Sequence, residues 1–192
     1  MRKGSIKRKT NETDIEIALN IDGDGTAEID TGIGFLDHML TLFAFHGSFD
    51  LKIKCKGDLY VDTHHTSEDI GIALGQAFLN ALGDKKGIER YGFMFVPMDE
   101  AMARVVVDFS GRPYLVYNVA FNNSRLGTMA SEDFKEFFRG FSGNSLTTLH
   151  IEMMYGENDH HIIEAVFKAF GRALKKASFL TSDKLQSTKG VL

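Results

Sequence analysis

The sequence predicts an α+β fold in which one half occurs twice within a single domain. Apolar residues alternate with polar ones in some segments and recur at helical spacing in others, so strands and helices are both expected. The order helix, strand, strand, helix occurs twice, and no linker rich in Gly, Ser or Pro separates the copies. At 192 residues the chain suits one core with sheets packed against helices. We expect pseudo-repeats at roughly residues 1–90 and 91–180, and a C-terminal tail at residues 181–192.

Alternation with a period of two marks the strands. Residues 15 to 21 alternate between Ile or Leu and polar side chains, and Ala27 to Asp30 follows the Asp-Gly-Asp-Gly turn at residues 22–25. This pattern predicts a β-hairpin. Further strands are predicted, in chain order, at Leu51 to Cys55, Leu59 to Asp62, Phe93 to Val96, Ala103 to Val107, Tyr114 to Phe121 and Leu149 to Ile151.

Helical spacing of apolar residues marks four helices. They are predicted at residues 36–43, at residues 70–81 with a stop near Gly83, from residue 134 onward, and at residues 162–177. A shift of 98 residues pairs Leu36 with Phe134, and a shift of 96 residues pairs His64 with His160. The first and third helices therefore correspond to each other, as do the second and fourth.

Composition limits the classes of function. Lys and Arg number 22 and Asp and Glu 26, and the resulting net charge of −4 argues against general nucleic-acid binding. No run approaches the roughly 18 apolar residues of a membrane span. Cys55 is the only cysteine, so no intrachain disulfide can form, and no apolar signal segment follows the basic N-terminus. We therefore expect a cytoplasmic protein.

The motif His-His-x-x-Glu begins the second helix of each half, at residues 64–68 and 160–164. Its first His and its Glu are four residues apart and share one face of a helix, where both can bind one cation. The second His projects about 100° away, so it must reach a different ion or one shared with another subunit. Imidazole with carboxylate and no thiolate suits catalytic Mn, Fe or Zn rather than structural zinc. The candidate ligands are His64, His65, Glu68, His160, His161 and Glu164.

Four further residues are candidates on weaker grounds. His38 on the first helix corresponds to Glu136 on the third, and both could supply ligands from a facing helix. For Glu136 a solvated surface position is an equally good interpretation. His150 alternates outward on its strand, so we expect it to face solvent or to neighbour the ligands, and His46 fits the repeat less well.

Five segments of the chain carry longer motifs: Gly34 to Leu40, Asp62 to Asp69, Ser110 to Leu115, Asn158 to Ala169 and Ser187 to Leu192. Together they resemble the imidazoleglycerol-phosphate dehydratase family in its monofunctional form. The resemblance covers nearly the whole chain from Asn11 onward, and its motifs occur in the family's order.

The resemblance implies a lyase of histidine biosynthesis, which dehydrates imidazole glycerol phosphate to imidazole acetol phosphate. It also implies a duplicated α+β half, two Mn(II) ions per active site, and a hollow homo-oligomer of twenty-four subunits with sites at subunit interfaces. Many members have His where this chain has Glu136, and a carboxylate can also bind Mn. The implied metal ligands are His38, His64, His65, Glu68, His160, His161 and Glu164, with Glu136 as a further candidate.

The implied chemistry explains these residue types. The hydrogen that is lost in the implied reaction lies on a carbon without an adjacent carbonyl, so it is not acidic. Two metals on the ring nitrogens would stabilise an imidazolate. The imidazolate would then expel the neighbouring hydroxyl to give a diazafulvene. Glu12 resembles the family's acid/base carboxylate, although a solvated Glu near a strand start is its ordinary interpretation. The positions implied to bind the phosphorylated substrate are Glu12, His46, Arg90, Arg112, Lys168, Ser187, Thr188 and Lys189.

Two other functions remain open from the residues. A di-metal phosphoesterase would use similar ligands to turn a bridging water into a nucleophile, although Asp-rich ligation is commoner there. A non-catalytic shell would use the ions only to join subunits.

Overall fold

The computed structural model describes residues 1–192 and confirms the α+β fold class, with four helices among ten strands. None of the helices combines the length and apolar character that crossing a membrane requires. The helices are α1 (Gly34–Gly47), α2 (His64–Leu82), α3 (Asp133–Ser145) and α4 (Asp159–Ser178). The strands are β1 (Lys3–Lys9), β2 (Thr13–Asn20), β3 (Ala27–Asp30), β4 (Asp50–Gly57), β5 (Tyr91–Met98), β6 (Ala101–Asp108), β7 (Tyr114–Asn118), β8 (Arg125–Leu126), β9 (Met129–Ala130) and β10 (Thr148–Tyr155).

The internal duplication is visible in the two four-stranded sheets, ordered β1-β2-β4-β3 and β5-β6-β10-β7. In each sheet the first three strands pair antiparallel and the last pairs parallel to its neighbour. The corresponding strands therefore occupy corresponding places, and each sheet belongs to one half of the sequence.

The predicted hairpin of β2 with β3 is wrong, because β4 lies between them and β3 runs parallel to β4. The reason is the better apolar register of β4, whose Leu51 and Ile53 face Leu19 and Ile17 of β2. Cross-strand apolar pairs of this kind stabilise a sheet, and β3 offers only one large apolar side chain, Ile29.

One further strand prediction is wrong, and one strand was missed. The segment predicted as a strand at Leu59 to Asp62 forms turns, so a single strand joins the two helices of each half. Strand β1 was not predicted, because Ile6 is its only large apolar residue; this side chain pairs with Ile17.

The halves meet through their helices. Helix α2 packs on β1 and β2, whereas α4 packs on β5 and β6. Between these layers α1 lies on α4, and α3 lies on α2, so each contact joins helices from different halves. Phenylalanine rings fill this layer; for example, Phe43 of α1 stacks on Phe170 of α4 with centroids 5.1 Å apart. The cross-packing places the start of α1 beside the start of α4.

Candidate metal centre and substrate site

The histidine pair of α4 is fixed by the cap of that helix. The side-chain oxygen of Asn158 accepts hydrogen bonds from the backbone N–H groups of His160 and His161, at 2.9 and 3.4 Å. Such a cap satisfies donors that have no partner within the helix. The first turn of α4 therefore holds both histidines in a defined orientation.

His38, His160 and Glu164 form a three-residue cluster between α1 and α4. Their ligand atoms all lie within 4.8 Å of one another. Oε2 of Glu164 is 3.3 Å from Nε2 of His160 and 3.7 Å from Nε2 of His38. Two imidazole nitrogens and one carboxylate oxygen suit a divalent transition metal, and three protein ligands leave coordination positions open for water or substrate. The donor set therefore fits a catalytic metal ion.

Lys168 keeps the carboxylate of the cluster charged. Its Nζ lies 2.6 Å from Oε1 of Glu164, on the next turn of α4. Burial by itself would raise the pKa of Glu164, but the hydrogen bond and charge of Lys168, with His38 and His160, outweigh burial and lower that pKa. Glu164 is therefore ionised at neutral pH, as a metal ligand must be.

The corresponding residues of the first half are less closely grouped. Nε2 of His64 lies 4.0 Å from Oε2 of Glu68, as expected for residues four apart on one helix face. Glu136, the counterpart of His38, instead pairs with Arg139 through a contact of 2.7 Å. In the first half, one chain therefore supplies two neighbouring candidate ligands, His64 and Glu68, while Glu136 lies on the adjacent helix α3.

The second histidine of each motif lies outside the His38 cluster and contacts carboxylates. Nδ1 of His65 is 3.0 Å from Asp58, and Nδ1 of His161 is 2.7 Å from Glu100. These hydrogen bonds are the largest cause of a raised pKa at both histidines. The bond from His161 likewise lowers the pKa of Glu100 to about 2.

Carboxylates also lie near the other side of these two rings. Nε2 of His65 is 3.8 Å from Oε1 of Glu12, which lies just before β2. Nε2 of His161 is 3.9 Å from Oδ2 of Asp99, in the turn between β5 and β6. Glu12 was predicted from the sequence, whereas Asp58, Asp99 and Glu100 were not, because acidic residues in turns carry no spacing signal.

Arg90 and the C-terminal tail meet at the other end of α4. The guanidinium of Arg90 donates to Asp108 at 2.7 and 3.2 Å and to the carbonyl oxygen of Gln186 at 2.7 Å. Its backbone N–H donates to the carbonyl oxygen of Ala177. A β-carbon at Gly111 would lie 2.8 Å from the backbone of Leu192, so the tail also reaches the turn that holds Arg112.

The other predicted substrate residues fall in two places. Ser187, Thr188 and Lys189 lie on the exposed tail, where the Ser187 hydroxyl donates to the carbonyl oxygen of Val191 at 2.7 Å. His46 lies on the last turn of α1 and lines a cavity of about 470 Å³ that Arg172 also lines. Burial and the nearby charges of Lys168 and Arg172 lower the pKa of His46. This is a cationic environment.

The side chain of Arg90 cannot reach the cluster of His38, His160 and Glu164 in its own chain. Ala177, which bonds to Arg90, lies 17 residues after His160 on α4. At 1.5 Å per residue, this separation is about 25 Å. One small phosphorylated molecule cannot span that distance. His150 is not part of this cluster; it lies on β10 and is exposed, as predicted.

Comparison with known proteins gives the family. The family model described as imidazoleglycerol-phosphate dehydratase matches residues 31–174, a range that contains both His-His-x-x-Glu motifs. The chain belongs to the imidazoleglycerol-phosphate dehydratase family. The dehydratase of Clostridioides difficile strain 630 is 61% identical over 192 residues and covers 100% of both chains. That of Caldicellulosiruptor bescii is 56% identical over 191 residues, with 100% of this chain and 98% of the relative covered.

Solved dehydratase structures share the fold. The crystal structure of the Staphylococcus aureus N315 dehydratase has a TM-score of 0.83 at 46% identity, covering 94% of this chain and 99% of that one. The Pyrococcus furiosus dehydratase in complex with (S)-C348 has a TM-score of 0.86 at 41% identity, covering 97% and 100%. The identity extends over almost the full length, so it includes the segments before residue 31 and after residue 174.

Proposed function

We propose that this chain dehydrates imidazole glycerol phosphate to imidazole acetol phosphate at a site with two Mn(II) ions. As a member of the dehydratase family, the chain is a hydro-lyase of histidine biosynthesis. The observation that carries the metal proposal is the cluster of His38, His160 and Glu164, whose ligand atoms lie within 4.8 Å with coordination positions left open for one ion. The second ion is proposed from the family resemblance and from the repeat of the motif at His64 and Glu68. A biosynthetic enzyme with one free cysteine, Cys55, fits the reducing cytoplasm.

The two halves supply two sets of ligands. His38, His160 and Glu164 would hold one cation, and His64 and Glu68, with Glu136 as a further candidate, would hold the other. His65 and His161 project away from these sets and would complete the coordination of ions in neighbouring subunits. When bound, two divalent cations supply Lewis acidity at the two nitrogens of the substrate ring, which favours loss of the neighbouring hydroxyl.

Glu12 is the proposed acid/base residue. Its carboxylate is half exposed and lies 3.8 Å from Nε2 of His65, so it is next to a proposed ligand and open to a substrate. A carboxyl group in this position can first donate a proton to the leaving hydroxyl and then, as the carboxylate, take the proton from the substrate carbon. Its backbone N–H donates to the hydroxyl of Thr10 at 3.1 Å, which fixes the turn that presents it.

The phosphate would be bound by cations held in place by the fold. Arg90 is oriented by two hydrogen bonds to Asp108, and a guanidinium fixed in this way suits a phosphate group. Arg112, Ser187, Thr188 and Lys189 would join it as the tail closes over the substrate. Lys168 and His46 would approach from the side of the metal cluster.

The separation within one chain supports an assembly with shared active sites. Arg90 bonds to Ala177, which lies about 25 Å from His160 along α4, so the phosphate group and the ring of one substrate would contact different subunits. This separation supports a homo-oligomer with sites at its interfaces, and the number of twenty-four subunits is what the family resemblance implies.

One experiment separates this function from a phosphoesterase. The purified protein is incubated with Mn(II) and imidazole glycerol phosphate, and both the ketone product and free phosphate are measured. We expect the ketone without release of phosphate. Free phosphate would contradict the dehydratase proposal, and absence of any reaction with metal and assembly intact would favour a shell in which ions only join subunits.

A further inference from the structure

The second histidine of each motif, His65 or His161, has the same arrangement at the same ring atom. Nδ1 of His65 is 3.0 Å from Oδ2 of Asp58, and Nδ1 of His161 is 2.7 Å from Oε2 of Glu100. The two carboxylates come from different places in the chain, since Asp58 directly follows β4 and Glu100 lies between β5 and β6. They are not counterparts in the repeat, so the shared contact is not a by-product of duplicated sequence.

The chemistry of these contacts determines which nitrogen carries the proton. An ionised carboxylate has no proton to donate, so each Nδ1 must be the donor. In a neutral imidazole the other nitrogen, Nε2, then carries the lone pair. A metal ion binds that lone pair, and a carboxylate on the opposite nitrogen also makes the ring a stronger ligand.

The burial of Asp58 strengthens this interpretation. Its side chain is 11% exposed, and its Oδ1 is buried without a hydrogen-bond partner. An ionised carboxylate that is removed from water in this way is costly unless a donor compensates it. The N–H of His65 is its hydrogen-bond donor, so the ring cannot turn without leaving both oxygens of Asp58 unpaired.

His64 has a similar neighbour, although the contact is longer. Oδ1 of the buried Asp133 lies 3.4 Å from Nδ1 of His64, and Oδ2 accepts from the hydroxyl of Thr63 at 2.5 Å. Three of the four paired histidines thus have a carboxylate from outside their own helix beside Nδ1, while Nε2 of His64 faces Glu68.

We propose that Asp58 and Glu100 are positioning residues, which fix the tautomer and orientation of His65 and His161 so that Nε2 of each ring is presented to a metal ion of a neighbouring subunit. This inference rests on the proposed function, because it assumes that the two histidines bind metal. Neither carboxylate touches the substrate or the ion in this arrangement; each acts through its histidine.

The test uses the full-length variants Asp58→Asn and Glu100→Gln, with Glu152→Gln as the matched control. A carboxylate can only accept from Nδ1–H, whereas an amide can accept from it or donate to a bare Nδ1, so the variants remove the preference for the Nδ1–H tautomer and allow the Nε2–H tautomer. Glu152 is a partly exposed carboxylate on β10 that pairs with Arg104 and contacts no histidine, so its variant removes the same charge without altering a ring.

Two measurements are made on each protein. Mn(II) binding is titrated by electron paramagnetic resonance of the free ion, and we expect the dissociation constant to rise by about 10- to 100-fold in Asp58→Asn and Glu100→Gln. Magic-angle-spinning NMR of metal-free protein labelled with ¹⁵N only at histidine reports the tautomers. At a pH above the raised folded pKa of the two histidines, one ring in each variant should lose its exclusive Nδ1–H form and populate the Nε2–H form, and none should do so in Glu152→Gln.

The outcomes are distinct. Unchanged Mn(II) affinity, weaker binding without a change of tautomer, or an equal loss in Glu152→Gln would each overturn the proposal. If Asp58→Asn does not fold, the exposed Glu100 carries the same test alone. A wild-type protein that binds no Mn(II) would contradict the proposed function instead, whereas the NMR measurement on metal-free protein still tests the positioning role.

Discussion

Gly171 of α4 lies directly against the carbonyl oxygen of Phe43 on α1, and a β-carbon at this glycine would be only 2.4 Å from that oxygen. The other pair of helices, α2 and α3, repeats the relationship, since a β-carbon at Gly75 would be 2.6 Å from the carbonyl oxygen of Phe141. Backbones can approach this closely only where no side chain intervenes. The contact sets the distance between α1 and α4, and therefore between His38 and Glu164.

The first prediction concerns this contact. We expect Gly171→Ala to push α1 away from α4, lowering the free energy of unfolding by about 1–3 kcal/mol, as overpacking of a core does. Mn(II) affinity should fall as well, because His38 moves with α1. Chemical denaturation and metal titration measure the two effects.

Gly143→Ala is the matched control, because Gly143 lies on α3 and a β-carbon there would have no neighbour within 4 Å. Alanine at this position should leave the stability unchanged or raise it by up to about 1 kcal/mol. Equal stability and metal affinity in Gly171→Ala and the wild type would show that the helix spacing tolerates a methyl group.

The second prediction concerns Glu12. We expect Glu12→Gln to lower kcat by about 10²- to 10⁴-fold, the usual contribution of a general acid/base, while Mn(II) binding and assembly stay unchanged. Steady-state kinetics with imidazole glycerol phosphate measures the effect. Glu16→Gln on the adjoining strand β2 is the control, since Glu16 is exposed and pairs with Lys7. Full activity in Glu12→Gln would remove Glu12 from the reaction.

The third prediction concerns the oligomer. If His65 and His161 bind ions held by neighbouring subunits, removal of metal with EDTA should dissociate the large assembly into smaller oligomers, and Mn(II) should restore it. Size-exclusion chromatography with light scattering measures the mass before and after. An assembly that keeps its mass after verified removal of metal would contradict this prediction.

The fourth prediction concerns pH. Contacts with Asp58 and Glu100 raise the pKa of His65 and His161 above their ordinary value of 6.5 in the folded protein. In metal-free protein their contribution to stability is therefore complete below pH 6.5 and is lost as the pH rises through the higher folded values. Metal binding requires neutral rings, so Mn(II) affinity and activity should instead fall as the pH decreases toward about 6.

Thermal unfolding measured across this pH range tests both effects of pH on stability. The melting temperature of the metal-free protein should decline with rising pH just above 6.5, while that of the Mn(II)-loaded protein should increase. Parallel curves for the two forms would contradict the opposite effects of protons on the two states.

The sequence identified the residues of the metal centre better than it identified their grouping. The repeated His-His-x-x-Glu motif predicted that His160 and Glu164 share a helix face, and they do. It did not predict that His38 joins them, because that contact follows from packing of α1 on the helix of the other half. The pairing of Glu136 with Arg139 was not predicted, although the two residues are three apart on α3, a spacing that places opposite charges side by side on a helix.

The strands show the same limit. Alternation predicted β2 and β4 because each carries several apolar residues with a period of two. The edge strands β1 and β3 carry one large apolar residue each, Ile6 and Ile29, so their pairing is decided by neighbours that are distant in sequence. The pattern of apolar residues predicts a strand well where the segment itself carries several buried side chains. It predicts poorly where the position of a strand depends on the neighbouring strands of the sheet.

Arg90 bonds to Ala177 near the end of α4, whereas His160 lies at its start, and this separation has a genetic consequence. If each catalytic pocket draws its anion-binding arginine from one subunit and its metal-binding imidazole from another, Arg90→Ala and His160→Ala damage different contributors to the same pocket. Each variant alone should be inactive, yet a mixed assembly formed from both after EDTA treatment and remetallation should regain part of the activity by complementation. Mixtures that stay inactive while demonstrably containing both chains would place the whole pocket within a single polypeptide.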